Sequence, residues 1–180
     1  MKIIQIFIVY PLLIFSQNIQ KSDLDKALVK EKFSITLSKS KKFIDDESNF
    51  HLTIYKDKKP ILEDEIFSKL GEIEFQDFNG DGIKDVLVQN ISDARSNWTY
   101  YLYLYDKKNK TFKKVKNFET IKNPTFNSNF KTIESYVVSG KNYLKLYKIK
   151  NNNIENLDII IDDDSTNFDI EYKKALLKTK

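Results

Sequence analysis

The stretch "IEFQDFNGDGIKDVLV", residues 73 to 88, decides how the rest of the chain is read. Its flanks, "IEFQ" and "DVLVQ", carry the apolar character of strands, and the segment between them is too rich in carboxylates for a plain turn. A two-residue hairpin needs one Asn-Gly or one Asp-Gly. This segment has both, with Asp77, Asn79, Asp81 and Asp85 set around Gly80 and Gly82.

The spacing is D-x-N-x-D-G-x-x-D, which lays oxygen donors at loop positions 1, 3 and 5 around one side of a hard cation. The backbone carbonyl of Ile83 adds a donor at position 7, and Asp85 at position 9 adds a carboxylate directly or through water. Gly82 permits the bend. Calcium suits such a set better than magnesium, which holds on to its own water. The metal-ligand candidates are therefore Asp77, Asn79, Asp81, Ile83 and Asp85, with Ca2+ as the expected cofactor. An EF-hand is a poor match, because position 12 is Val88 instead of glutamate and the flanks are strands. The alternative is a type I′ or bulged hairpin whose Asp and Asn only make turn hydrogen bonds.

Working outward, "FSITLS" at 33 to 38, "FHLTIY" at 50 to 55, "TYYLYLY" at 99 to 105, "TIESYVV" at 132 to 138 and "YLKLYKI" at 143 to 149 are β-branched or aromatic and mostly alternate. Short polar connectors, "DKKNK", "SGKN" and "KNNN", make neighbouring strands antiparallel, so the C-terminal half reads as a meander. "SDLDKALVKEKF" predicts a short helix capped by Ser22 or Asp23, and "EDEIFSKL" at 63 to 70 a helical turn. "IEYKKALL" fits a closing strand or a short helix. The expected fold is mainly β: a single antiparallel sheet or meander domain, with one or two short helices and the acidic loop between strands.

The first residues, "MKIIQIFIVYPLLIFSQNIQ", give a lysine, an apolar run and a polar exit, the layout of a secretory signal over 1–17. The mature domain is then 18–180, exported to the periplasm or the exterior, without a membrane span after cleavage. An uncleaved anchor or a first core strand is the alternative. No cysteine follows to take a lipid or form a disulfide, so core burial must stabilise an exported chain, with a metal as a further candidate. The net charge is +4, or +3 without Lys2, and Arg95 is the only arginine. Base and phosphate readout lean on the guanidinium fork, so nucleic acid is not an expected partner.

The acidic loop is similar to the calcium loop of FG-GAP or VCBS-type repeats, which occur in tandem where this chain has one copy. With "NWTYYLYLYDKKNKTFKKV", "NPTFN" and "FKTIESYVVSGKNYLKLYKI" behind it, roughly residues 70 to 150 more closely resemble an exported bacterial family related to periplasmic lysozyme inhibitors, some of them immunity proteins. The resemblance implies a compact β fold, a structural calcium, and a loop that enters the cleft of a lysozyme-like peptidoglycan hydrolase. On that resemblance "SGKNY" presents Ser139, Gly140 and Tyr143 as partner-binding candidates. Trp98 and Tyr101 join them as aromatic contacts, while an ordinary turn and cross-strand packing remain the plain reading.

Catalytic chemistry is hard to find. The one histidine, His51, lies in a strand, and no spacing singles out a carboxylate pair among the 26 acidic residues. The expectation is a binding protein and not an enzyme. A surface glycan-binding or adhesion module of FG-GAP/VCBS type and a polymer-hydrolysing enzyme are the rival readings. "DDD" at 162 to 164 is a lesser cation candidate, and "NIS" and "NWT" match glycosylation sequons short enough to occur by chance.

Overall fold

A computed structural model describes residues 16–18, 24, 26–44, 48–164 and 166–179. Most of the expected signal, and Ser22 and Asp23, the expected caps of the first helix, lie outside these residues. At the expected cleavage point, β1 (Ser16–Asn18) pairs antiparallel with residues 36–38 of β2 (Phe33–Ile44). No described helix is long and apolar enough to cross a membrane.

Three antiparallel sheets of four strands follow one another along the chain. The first joins β1, β2, β3 (Ser48–Lys56) and β4 (Lys59–Ile66). The second joins β5 (Ile73–Gln76), β6 (Asp85–Ser92), β7 (Trp98–Asp106) and β8 (Thr111–Lys114). The third runs β9 (Pro124–Asn127), β10 (Thr132–Val137), β11 (Tyr143–Lys150) and β12 (Asn153–Asp162). Every sheet runs in chain order, and apart from the link between β1 and β2 the connectors within a sheet are too short to cross over. The expected antiparallel β fold is present, divided into three sheets where one was expected.

Helix α1 (Lys26–Lys30) is shorter than its sequence pattern suggests, and it anchors through Leu28. Helix α2 (Phe168–Lys178) settles the "IEYKKALL" ambiguity in favour of a helix, with Ala175 and Leu176 on its buried side. The expected helical turn at 63 to 70 is not formed, since residues 63–66 continue β4. There Glu63 and Glu65 are exposed while Leu62, Asp64 and Ile66 are more buried, a period of two that a packed strand rewards over intrinsic helix preference.

Burial explains the layering. Tyr103 and Tyr105 of β7 pack with Ile35, Leu52 and Ile54 of the first sheet, and Tyr101 packs against that cluster. Leu102 and Leu104, on the opposite face of β7, pack with Phe78, Phe118 and Ile133, and Tyr100 packs against them. A third cluster joins Leu144, Leu146 and Ile161 to Ala175 and Leu176 of α2. The second sheet is thus covered on both faces, and β6 accordingly reads as a continuous buried run from Asp85 to Asn90.

Candidate functional site

The acidic loop hangs between β5 and β6. Asp77 folds back on it, its Oδ1 accepting the N–H groups of Asn79 (3.1 Å), Gly80 (2.7 Å) and Asp81 (3.3 Å), and its Oδ2 that of Gly82 (2.8 Å). Asn79 Oδ1 accepts Asp81 N–H at 2.9 Å, and Asp81 Oδ1 accepts Ile83 N–H at 2.8 Å. Gly80 and Gly82 sit at φ +71° and +80°, where a β-carbon is costly, which is why glycine occupies both. Phe78, the residue between the first two donors, is buried against Phe118 at 5.3 Å and seats the loop on the third sheet's side of the core.

Asp85 behaves differently from the other three. It is fully buried, and its Oδ2 accepts Phe78 N–H while its Oδ1 accepts Tyr105 N–H, both at 2.8 Å. Burial is the main cause that pushes its carboxyl up to about 7, with the like charges of Asp81 and Asp77 adding to the rise against the two N–H donors. The carboxylate therefore ties the loop to β7 and sits in a field that a cation would relieve.

Among the described residues, no three His, Cys, Asp or Glu side chains converge as a metal cluster on their own. The loop's donors are a mixed set: Asp77, Asn79 and Asp81 side chains with the Ile83 carbonyl, and Asp85 behind them. All are oxygens; Asp77 Oδ1 already accepts three N–H groups, while Asp77 Oδ2, Asn79 Oδ1 and Asp81 Oδ1 each accept one and keep a further lone pair. The donor chemistry fits a hard cation. One positive group is already close, since Lys107 from the β7–β8 turn donates to the Asp81 carbonyl and lies 3.8 Å from its carboxylate.

The partner-binding candidates divide. Trp98 and the Ser139–Gly140 turn share one end of the molecule through a pair of asparagines. Asn97 Nδ2 donates to the Val138 carbonyl and its Oδ1 accepts Val138 N–H, both at 2.8 Å. Asn123 Nδ2 donates to Asn97 Oδ1 and to the Tyr136 carbonyl, each at 2.9 Å, and its Oδ1 accepts Trp98 N–H at 2.8 Å. Asp93 closes the network, accepting from Arg95 and Asn97 backbone N–H, from Asn97 Nδ2 and from Lys122. These groups hold its carboxyl well below the usual range, the lysine first among them.

In the turn itself, Ser139 N–H donates to Asn142 Oδ1 at 3.0 Å and its hydroxyl donates to the Lys141 carbonyl. Gly140 projects into open space, and a β-carbon there would meet nothing within 4 Å. Tyr143 packs within the sheet opposite Val137 and Asp162, with Lys145 over its ring at 5.5 Å. The acidic turn abuts this end, Asp163 N–H donating to the Asn142 carbonyl, and the Asp163 carboxylate takes the Tyr136 hydroxyl. Tyr101 lies elsewhere, half-buried under Lys114 at 4.6 Å.

Strand β6 separates the two places. It spans eight residues from Asp85 beside the loop to Ser92 beside the rim, a distance of about 23 Å. The rim is braced by asparagines and not by the acidic loop.

The sequence pattern did not single out Asp93 or Asn123, whose partners lie as far as 29 residues away. Asn90 and Asn97 were marked only as sequon asparagines. Both are buried with their amide nitrogens donating internally, Asn90 to Thr99 and Asn97 to Asp93 and Val138, which leaves no room for a glycan. His51 lies between Glu65 (2.9 Å) and Glu63 (3.4 Å) on the open side of β3 and β4. None of Tyr100 to Tyr105 offers an open ring platform, because each is buried or half-buried against a core.

The fold defines an antiparallel β protein of three stacked meanders. No family model matches the chain, and no curated protein matches it. Among solved structures, a Xanthomonas type IV secretion system related protein is similar over 72% of this chain and 76% of its own, at 19% identity and a TM-score of 0.46. At that identity and score the likeness carries no functional argument.

Proposed function

We propose that this is an exported calcium-binding protein that acts by occlusion, inhibiting or giving immunity to a lysozyme-like peptidoglycan hydrolase. The observation that carries the reading is the construction of the rim. Asn97 and Asn123 lock the Ser139–Gly140 turn to Trp98, so a projecting turn is held in one shape before any partner arrives. Pre-organisation of this kind lowers the ordering cost of binding. The resemblance of residues 70 to 150 to the lysozyme-inhibitor-related family supplies the partner class.

Calcium would be held by Asp77, Asn79, Asp81 and the Ile83 carbonyl, with Asp85 bracing the loop against β7. When bound, it neutralises the carboxylate cluster and stiffens the β5–β6 connection. Its role is structural, because the rim stands at the other end of β6. The binding protein reading stands over the enzyme reading because His51, the chain's one candidate imidazole base, is clamped by two glutamates on an open strand face.

The test is inhibition of a panel of muramidases by the wild type and by Gly140→Arg, with and without EDTA. The substitution adds bulk where the structure leaves open space and where the backbone is not left-handed. Inhibition by the wild type, lost in Gly140→Arg at unchanged melting temperature, is the expected result. Equal inhibition by both proteins, or none by the wild type toward any muramidase, would overturn the proposal.

A further inference from the structure

A second surface lies where the three sheets meet. Lys116, just beyond β8, bonds through its backbone to the turn between β11 and β12, its N–H donating to the Asn152 carbonyl at 2.9 Å and its carbonyl accepting Ile154 N–H at 3.2 Å. These bonds fasten the third sheet to the edge of the second, and they leave a groove of about 840 Å³ between β8, the β11–β12 turn and Leu62 of β4. That volume falls in the range of ligand-binding clefts.

The groove is strongly one-signed. Lys113, Lys114, Lys116 and Lys150 line it against a single carboxylate, Glu155. Two of the lysines are held at its back, Lys113 by Asp106 at 2.7 Å and Lys114 by Asp64 at 2.6 Å. Lys150 has only Glu155, at 3.8 Å, and the Lys116 ammonium has no hydrogen bond or ion pair among the described residues. With Lys113 and Lys114 paired, the uncompensated positive charge of the groove is that of Lys116 and the weakly paired Lys150, and an anion between these two is favoured. Lys150 ends β11, and the turn after it has Asn151 and Asn152 at φ +53° and +55° and is tied down where Asn153 Oδ1 accepts from Asn117 at 3.0 Å.

The floor chooses among anions. It is made by Leu62, Phe112 and Ile154, and Phe112 is 3% exposed with its ring set edge-on against Phe33 at 5.4 Å. A sugar ring that stacks needs an open aromatic face, and this floor offers none. Arginine, whose fork suits nucleic-acid phosphates, is absent from the lining. An apolar floor under point charges matches carboxylates alternating with apolar side chains. We infer that the junction groove binds an extended acidic peptide segment of a partner protein, with Lys116 and Lys150 pairing its carboxylates and the floor taking its apolar side chains. The inference is independent of both the calcium loop and the rim.

The probe is a short labelled peptide of alternating glutamate and leucine, followed by fluorescence anisotropy with the full chain. The wild type should bind it with an affinity that falls as salt rises, and Lys116→Glu with Lys150→Glu should weaken binding about tenfold or more. Lys173→Glu with Lys174→Glu makes the same charge change on the exposed face of α2 and should leave binding within about twofold. Circular dichroism checks that both double variants are folded. Equal loss in the two double variants would reduce the effect to net charge and overturn the site. Failure of the wild type to bind the peptide overturns it as well, including the case where polygalacturonate, an acidic glycan, binds instead.

Discussion

The Asn97 side chain grips Val138 twice, donating to its carbonyl and accepting from its N–H, both at 2.8 Å, across 41 residues of sequence. Asn97 is 2% exposed, so no water can replace it. Asn97→Ala leaves two backbone groups and Asn123 without their partner, at a cost of about 2–3 kcal/mol. In a domain of this size that lowers the melting temperature by roughly 4–12 °C. A calorimetric midpoint within a degree of wild type would show that the network does not brace the rim.

The acidic loop predicts a calcium-dependent melting temperature. Ligand at a hundredfold excess over Kd stabilises the folded state by about 2.7 kcal/mol. Asp77→Ala should abolish this gain and also loosen the loop, since Asp77 accepts four of its N–H groups. Asp81→Asn is the cleaner variant, because its amide oxygen can still accept Ile83 N–H while the charge is gone. Titration calorimetry should show weaker calcium binding in both. Unchanged binding in both variants would sink the calcium assignment.

The rim network carries its own pH signature. Asp93 is held below the usual carboxylate range in the folded state by Lys122, Asn97 and Arg95. A depressed folded value contributes stability that is complete above the unfolded value of about 3.9 and is lost as pH falls below it. The amide resonances of Arg95 and Asn97 should therefore hold their folded positions at pH 4 and move only in more acid solution. Asp93→Asn should remove that transition. Movement centred on the ordinary aspartate value would mean the carboxylate is not engaged as described.

Local patterns and long-range contacts were unequally legible in the sequence. The acidic loop is a spacing within nine residues, and the hairpin turns at 106–110, 139–142 and 150–153 are composition next to alternation, so both could be read directly. The alternation of "TYYLYLY" sends Tyr101, Tyr103 and Tyr105 to one face of β7 and Tyr100, Leu102 and Leu104 to the other, as the structure has them. That both are buried depends on the third sheet, whose nearest strand begins 18 residues after β7 ends and whose contacts leave no mark on β7 itself. The acids of "EDEIFSKL" at 63 to 70 suit a helical turn as well as the exposed face of a strand, which is what residues 63–66 form. What turns Asp64 inward is Tyr103, 39 residues away. The asparagine network was invisible for the same reason.

That Tyr103–Asp64 contact makes the last prediction. Tyr103 is fully buried, its hydroxyl donates to Asp64 Oδ2 at 2.7 Å, and Lys114 reaches the same oxygen at 2.6 Å, so one carboxylate joins the first sheet to the second. Burial first, then the negative charge of Asp64, raises the Tyr103 phenol above the ordinary tyrosine range. A raised folded value gives stability that is complete below the unfolded value of about 10 and is lost as pH rises beyond it, because only the unfolded chain can then ionise. Urea midpoints should therefore fall above pH 10 in the wild type, and less steeply in Tyr103→Phe. At neutral pH the same substitution removes a hydrogen bond to a charged group, worth about 1.5–3 kcal/mol. Asp64 keeps Lys114, so the loss should sit at the lower end of that range. Parallel alkaline curves for the two proteins would mean that this phenol does not couple the sheets to pH.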